Sequence, residues 1–284
     1  SIYMVSNLWK SFFSSVICCF ITKIFYGDYS IKADTHAINV NFIFKIINFI
    51  IIGIITGIIG ASCATLVSKG VYIRKKINIS WLNNRFKYAA ITALITASVT
   101  FFIPGLRNFD KQILMHLLSD NGNIIQANWY HPGEGWRLLI ACISKYFLTV
   151  LGLSCTMPSG VFGPMFSVGA LFGRFYGHLI NSLFGINMES AFAMAASAGA
   201  FSGFSHTVSS ALMVFELAGQ TKYLPYLLIT CLIANSIGKG LSMGIFDVLL
   251  AIKNLPYLPA IKSNDSYSMS AGDVMDKIDL ILYI

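Results

Sequence analysis

The chain has 284 residues, of which 56% are hydrophobic and only 11% charged, against about a quarter charged in an ordinary soluble domain. That composition excludes a soluble core. The formal charge of +8 does not point to nucleic acid, because the basic residues gather between apolar segments instead of interleaving with aromatics on a polar face.

Apolar stretches able to cross about 30 Å of hydrocarbon, which takes roughly 20 helical residues, recur along the chain. They predict an all-α, polytopic protein integral to a lipid bilayer. The first is Leu8 to Phe25, followed by a polar loop from Gly27 to Asn41. A second runs from Phe42 to Val67, where Gly53, Gly57, Gly60 and Ala61 place small residues at spacings of three and four. Such spacing lets a neighbouring helix approach closely in lipid. Lys69, Arg74, Lys75, Lys76, Arg85 and Lys87 follow with no acid among them, which assigns the connection from Ser68 to Lys87 to the cytoplasmic side.

A third run, Phe86 to Phe102, ends at Pro104-Gly105 and leads into a long polar segment. Asp110, Asp120 and Glu134 mix there with Arg107 and Lys111, and His116 and His131 are expected in solvent. The next span, Trp136 to Thr156, carries Lys145 near its middle. A lysine at membrane depth needs a partner in the protein interior or a functional reason to be there.

From Met157 onward glycine, proline, serine and alanine become dense and the apolar runs are repeatedly broken. Interrupted segments mark places where backbone ends within the membrane, tolerated only where it lines a cavity or is buried in protein. Pro158-Ser159-Gly160-Val161-Phe162-Gly163-Pro164 opens an apolar stretch from Met165 to Leu179 with Gly169, Gly173 and Gly177 at every fourth position. Proline suits a helix's first turn. Gly160 and Gly163 leave backbone accessible, so the N–H groups of Val161 and Phe162 face outward. A helix start with free donors and partial positive charge can hold an anion, weakly enough for it to pass. In isolation the same residues also describe a plain turn.

The run Ser159-Gly160-Val161-Phe162-Gly163-Pro164-Met165-Phe166, with Gly169-Ala170-Leu171-Phe172-Gly173-Arg174, resembles the GxFxP motif and GAxxGR continuation of the CLC family of chloride channels and chloride/proton exchangers. Ser205-His206-Thr207-Val208-Ser209, Phe215-Glu216-Leu217-Ala218-Gly219-Gln220, Leu232-Ile233-Ala234-Asn235-Ser236 and Phe246-Asp247 are similar to later segments of the same family, in order, and Asn7-Leu8-Trp9-Lys10 and Lys145 fit upstream.

The resemblance implies the second of two inverted repeats of a CLC-type fold with broken and re-entrant helices. Residues 1–259 would be the C-terminal part of the membrane domain and 260–284 a cytoplasmic linker with the start of a CBS domain, at Ser270 to Met275. Too little of that domain is present to assign a nucleotide, and no other cofactor is implied. Both chain ends read as cut from something longer. By resemblance Gly160, Val161, Phe162 and Phe246 bind chloride, the permeating ion, with Ser159, Gly163, Pro164, Lys145 and Glu216 supporting the pore. Phe246 stands where the family usually has a tyrosine whose hydroxyl touches the ion, and only Pro158 precedes the glycine motif where the family often has two prolines.

The expected function is a gated chloride channel subunit of the plasma membrane, a homodimer with a cytoplasmic C-terminus. Its interface would involve Phe204 to Leu217 and Tyr226 to Leu241. The alternatives are a chloride/proton antiporter of the same fold and a non-conducting subunit, the latter suggested by Phe246. Arg174 and Glu216, ionisable in apolar surroundings, each require a partner or water, and His206, which opens an apolar segment, is expected to cap or to pack. The six cysteines show no CxxC pair and no histidine at ligand spacing, and no catalytic dyad suggests an enzyme.

Overall fold

The computed structural model describes residues 42–77, 85–118, 135–155, 159–218 and 223–253, with residues 14 and 17 besides. Apart from residues 14 and 17, the predicted span Leu8 to Phe25 lies outside this set, as do Cys18, Cys19, His131, Gln220 and the segment from Asn254 to the CBS-like residues. The described elements are all helical. They are α1 (Phe42–Ile77), α2 (Arg85–Phe102), a 3₁₀ turn (Pro104–Arg107), α3 (Asp110–Leu118), α4 (Trp136–Ser154), α5 (Phe162–Phe184), α6 (Glu189–Ser205), α7 (Ser210–Ala218), α8 (Leu224–Leu241) and α9 (Ile245–Lys253).

Three described segments are long and apolar enough to cross a membrane: Phe42–Arg74, Trp136–Ser154, and Leu224–Ile252, which joins α8 to α9. α1 continues through the basic residues where a loop was predicted from Ser68. No proline interrupts it, lysine and arginine are good helix formers, and cations suit a helix C-terminus. Arg74 at that end donates to the Ser154 carbonyl at 3.0 Å and lies over the Tyr88 ring at 4.9 Å. The tip of α1 is thereby tied to the end of α4 and the start of α2.

The centre of the molecule is α6, in which every residue from Glu189 to Ser205 is buried. A helix buried on all sides needs small residues where neighbours cross, and glycines supply them. A methyl at Gly169 would sit 2.5 Å from the Ala196 carbonyl oxygen, and one at Gly177 2.6 Å from Glu189 Cα. The predicted every-fourth-residue stripe of α5 is thus the face laid on α6. Gly60 of α1 meets Ala200 and Phe204 at 2.6–2.7 Å in the same sense, while Gly57 and Gly238 close on Ala234 and Gly203. The small-residue reading of α1 is therefore correct.

Close approach brings interhelical hydrogen bonds, worth about 0.6–2 kcal/mol each in a bilayer. Ser62 and Tyr146 join α1 to α4 at 2.7 Å, Tyr176 donates to Asn48 at 2.6 Å, and Ser202 donates to the Cys231 carbonyl at 3.0 Å. Gly185, at φ 68°, ends α5 in the left-handed conformation that glycine adopts without strain. His206 ends α6 in the same way at φ 61°, its N–H donating to the Ser202 carbonyl at 2.9 Å. Its cap is at the end of the helix before it, not at the start of the apolar segment after it.

The polar segment after Pro104 is corrected. Asp110 begins α3, which buries Ile113, Leu114, Leu117 and Leu118 against the core, and His116, expected in solvent, is half-buried. Those four apolar side chains lie on one helical face, which outweighs the polar residues between them.

Candidate anion site at a helix start

α4 and α5 are antiparallel neighbours. Cys142 lies against the Val168 carbonyl and Gly135 against His178. That register places Phe162 opposite about Val150, a turn short of α4's end, so α5 starts roughly 6 Å inside that end at 1.5 Å per residue. The expected interrupted backbone is present: Cys155 is extended and the chain turns back before α5 begins.

Val161 is the N-cap of α5, no described side chain caps it, and no acid lies in the first turn. The N–H groups at a helix start have no intrahelical acceptor, and Pro164, in the first turn, has no N–H to leave unpaired. The Phe162 ring lies tilted against Phe166 of its own helix at 3.9 Å between centroids and edge-on to Phe201 of α6 at 5.1 Å. Anchoring the ring leaves the backbone of Val161 and Phe162 at the front of the helix. Ser159 and Gly160, just ahead of it, are exposed.

A cavity of about 170 Å³ opens at this start, lined by Lys145, Ser159, Gly160 and Pro164 with Thr96, Thr100 and Thr149. Lys145 Nζ donates to Asp110 Oδ1 at 2.5 Å. Ser167 Oγ lies 3.4 Å from the same oxygen, and a methyl on Gly163 would be 3.3 Å from Asp110 Oδ2. One acid thus touches both the lysine and the first turn of α5. Predicted site residues Lys145, Ser159, Gly160 and Pro164 meet at one cavity, with Val161, Phe162 and Gly163 at its helix start.

Phe246 and Glu216 are not part of that lining. Phe246 is 49% exposed on the first turn of α9. α9 packs on α1 and α6, and Gly244 just before it abuts His206, so α6 supports Phe162 through Phe201 and the α9 start through its own end. Glu216 is exposed on α7, which packs on α6 and α8. Among the described residues its side chain is exposed, without the apolar surroundings expected of it. Arg174 does have its partner, since its guanidinium lies 3.5 Å from Glu189, which His178 and Asn181 also approach. Cys63 and Cys231 are buried and Cys142 and Cys155 half-buried, all as free thiols.

Asp110 and the three threonines were missed as site residues. The threonines are apolar-span residues whose hydroxyls bond their own helices' carbonyls. For Asp110 a signal existed: an acid three residues before Ile113-Leu114, with Leu117-Leu118 a turn further on, reads as the first turn of a short amphipathic helix.

A helix start with uncommitted donors and partial positive charge is chemically suited to an anion, and a lysine lines the cavity at this one. The chain belongs to the voltage gated chloride channel family, whose model matches residues 1–239. It is 27% identical over 314 residues to chloride channel protein 1 of Canis lupus familiaris and 26% identical over 316 residues to chloride channel protein 2 of Homo sapiens. Those matches cover 96% of the chain but 32% and 35% of the relatives, so it spans about a third of their length. A eukaryotic CLC transporter shares the fold at a TM-score of 0.66 and 24% identity, over 81% of this chain and 38% of that one. A slow cyanobacterial Cl⁻/H⁺ antiporter does so at 0.61 and 19%, over 84% and 53%.

Proposed function

We propose that this chain forms one half of the ion pathway of a gated chloride channel subunit, with chloride held by the backbone N–H groups of Val161 and Phe162. The carrying observation is the start of α5, with no side-chain cap and no acid among its own first-turn residues, on the cavity shared by Gly160 and Lys145. Channel rather than antiporter is favoured by the named relatives, both called chloride channels. The reversal potential of the full-length protein, measured across a chloride gradient and then a proton gradient, tests this. A channel follows chloride alone, and a shift with the proton gradient would convert the reading to coupled exchange.

A second reading, a non-conducting subunit, is favoured by Phe246, which keeps the ring but offers no O–H donor. If Phe246 stands at the ion, Phe246→Tyr adds a hydrogen bond to a charged group, worth about 1.5–3 kcal/mol, and chloride currents rise. Surface expression without current in both forms would favour the non-conducting reading.

The chain's setting follows the same proposal. The basic end of α1 assigns that end to the cytoplasm, consistent with a cytoplasmic C-terminus and a plasma-membrane location. Leu212 and Met213 of α7 and Leu232 of α8 are 52%, 44% and 52% exposed, and supply an apolar seam for a homodimer.

A further inference from the structure

We propose that Asp110 and Lys145 form a charge-balancing couple that sets how tightly the α5 start holds its anion. The inference rests on the anion-pathway reading above and assigns to that site a residue pair from two other elements, α3 and α4.

Lys145 lines the same cavity as Ser159, Gly160 and Pro164, so its side chain borders the space that reading gives to the anion. Unbalanced, a full positive charge beside a helix N-terminus would make a deep anion trap, whereas conduction needs binding weak enough to release. Asp110 Oδ1 accepts from Nζ at 2.5 Å. Its other oxygen faces Gly163, where an added methyl would lie 3.3 Å away, so the carboxylate is applied to the first turn of α5 as well as to the lysine. The Lys145 and Asp110 side chains are only 16% and 30% exposed, so water screens them less than it would a surface pair. Ser167, one turn into α5, donates to the Gly163 carbonyl at 2.9 Å and lies 3.4 Å from Asp110 Oδ1, which places the acid against the anion helix itself.

Neutralising one member should therefore expose the other, with opposite signs at the site. In Asp110→Asn the free ammonium holds chloride tightly. In Lys145→Met the carboxylate stands alone beside the helix start and repels it. Neutralising both removes both effects and leaves the helix dipole with its backbone donors.

The test is chloride conductance against chloride concentration for the full-length protein and the variants Asp110→Asn, Lys145→Met and the double substitution, with amounts matched by surface labelling. Half-saturating chloride is expected to fall at least three-fold in Asp110→Asn and rise at least three-fold in Lys145→Met. The double variant should move back toward the wild type from Lys145→Met. A structural salt bridge would instead lower abundance or current in both single variants in one direction, and half-saturation unchanged in both would overturn the couple. If Lys145→Met does not reach the membrane, the sign of the shift in the near-isosteric Asp110→Asn decides alone. Wild-type protein that passes no chloride would sink the underlying reading and the couple with it, whereas normal wild-type currents with unmoved variants would sink the couple only.

Discussion

Arg174 and Glu189 meet almost fully out of solvent, with side-chain exposures of 2% and 7%, where α5 and α6 converge on the Gly185 turn. Such a pair adds little over an apolar substitute, but removing one partner leaves an uncompensated buried charge at a cost of about 3–5 kcal/mol. Glu189→Gln keeps the shape and removes the charge, so a large fall in the thermal unfolding midpoint in detergent is expected. A midpoint unchanged within error would show that other groups carry the arginine's charge. The sequence marked Arg174 as needing a partner, but the partner follows a turn and stands first in the next helix. Lys145 and Asp110 posed the same difficulty, being 35 residues apart, and only the packing of α3 into the core brings them together.

Among the elements, α1, α2 and α4 were legible because each is a long apolar run bounded by charge or proline, and bilayer thickness sets their lengths. α5 was legible at its start, since Gly160, Gly163 and Pro164 meet the requirements of a helix N-terminus, and along its contact face, since its glycines recur at every fourth residue. α3 was not, because nine residues give only about two and a half turns in which to see a period. The glycines make the element-scale prediction. Gly60→Ala would put a methyl 2.6 Å from the Phe204 nitrogen, backbone that cannot yield without α1 moving off α6, and should cost about 1–3 kcal/mol. Gly240→Ala meets nothing within 4 Å and should be neutral or slightly stabilising. Thermal unfolding of the two variants in parallel separates close packing from a general cost of losing glycine.

For the whole molecule, a buried small-residue helix forms the hub, with spanning helices around it and a helix start turned inward between α4 and the rest. The two aromatics expected at one ion, Phe162 and Phe246, rest on different elements, α5 and α9, which both pack on α6 and α1. At this scale the exposed seam of Leu212, Met213 and Leu232 predicts a homodimer, and Leu212→Arg with Leu232→Arg should shift the full-length protein toward monomer in size-exclusion chromatography. An unchanged elution volume would count against a dimer contact on this seam. The central claim, that the backbone donors at the start of α5 carry the ion, is tested most directly by chloride efflux from liposomes holding equal amounts of wild type and Val161→Pro. Proline is tolerated at a helix start but deletes one N–H, and a hydrogen bond to a charged group is worth about 1.5–3 kcal/mol. The account predicts efflux reduced by about ten-fold or more, and efflux equal to the wild type would contradict it.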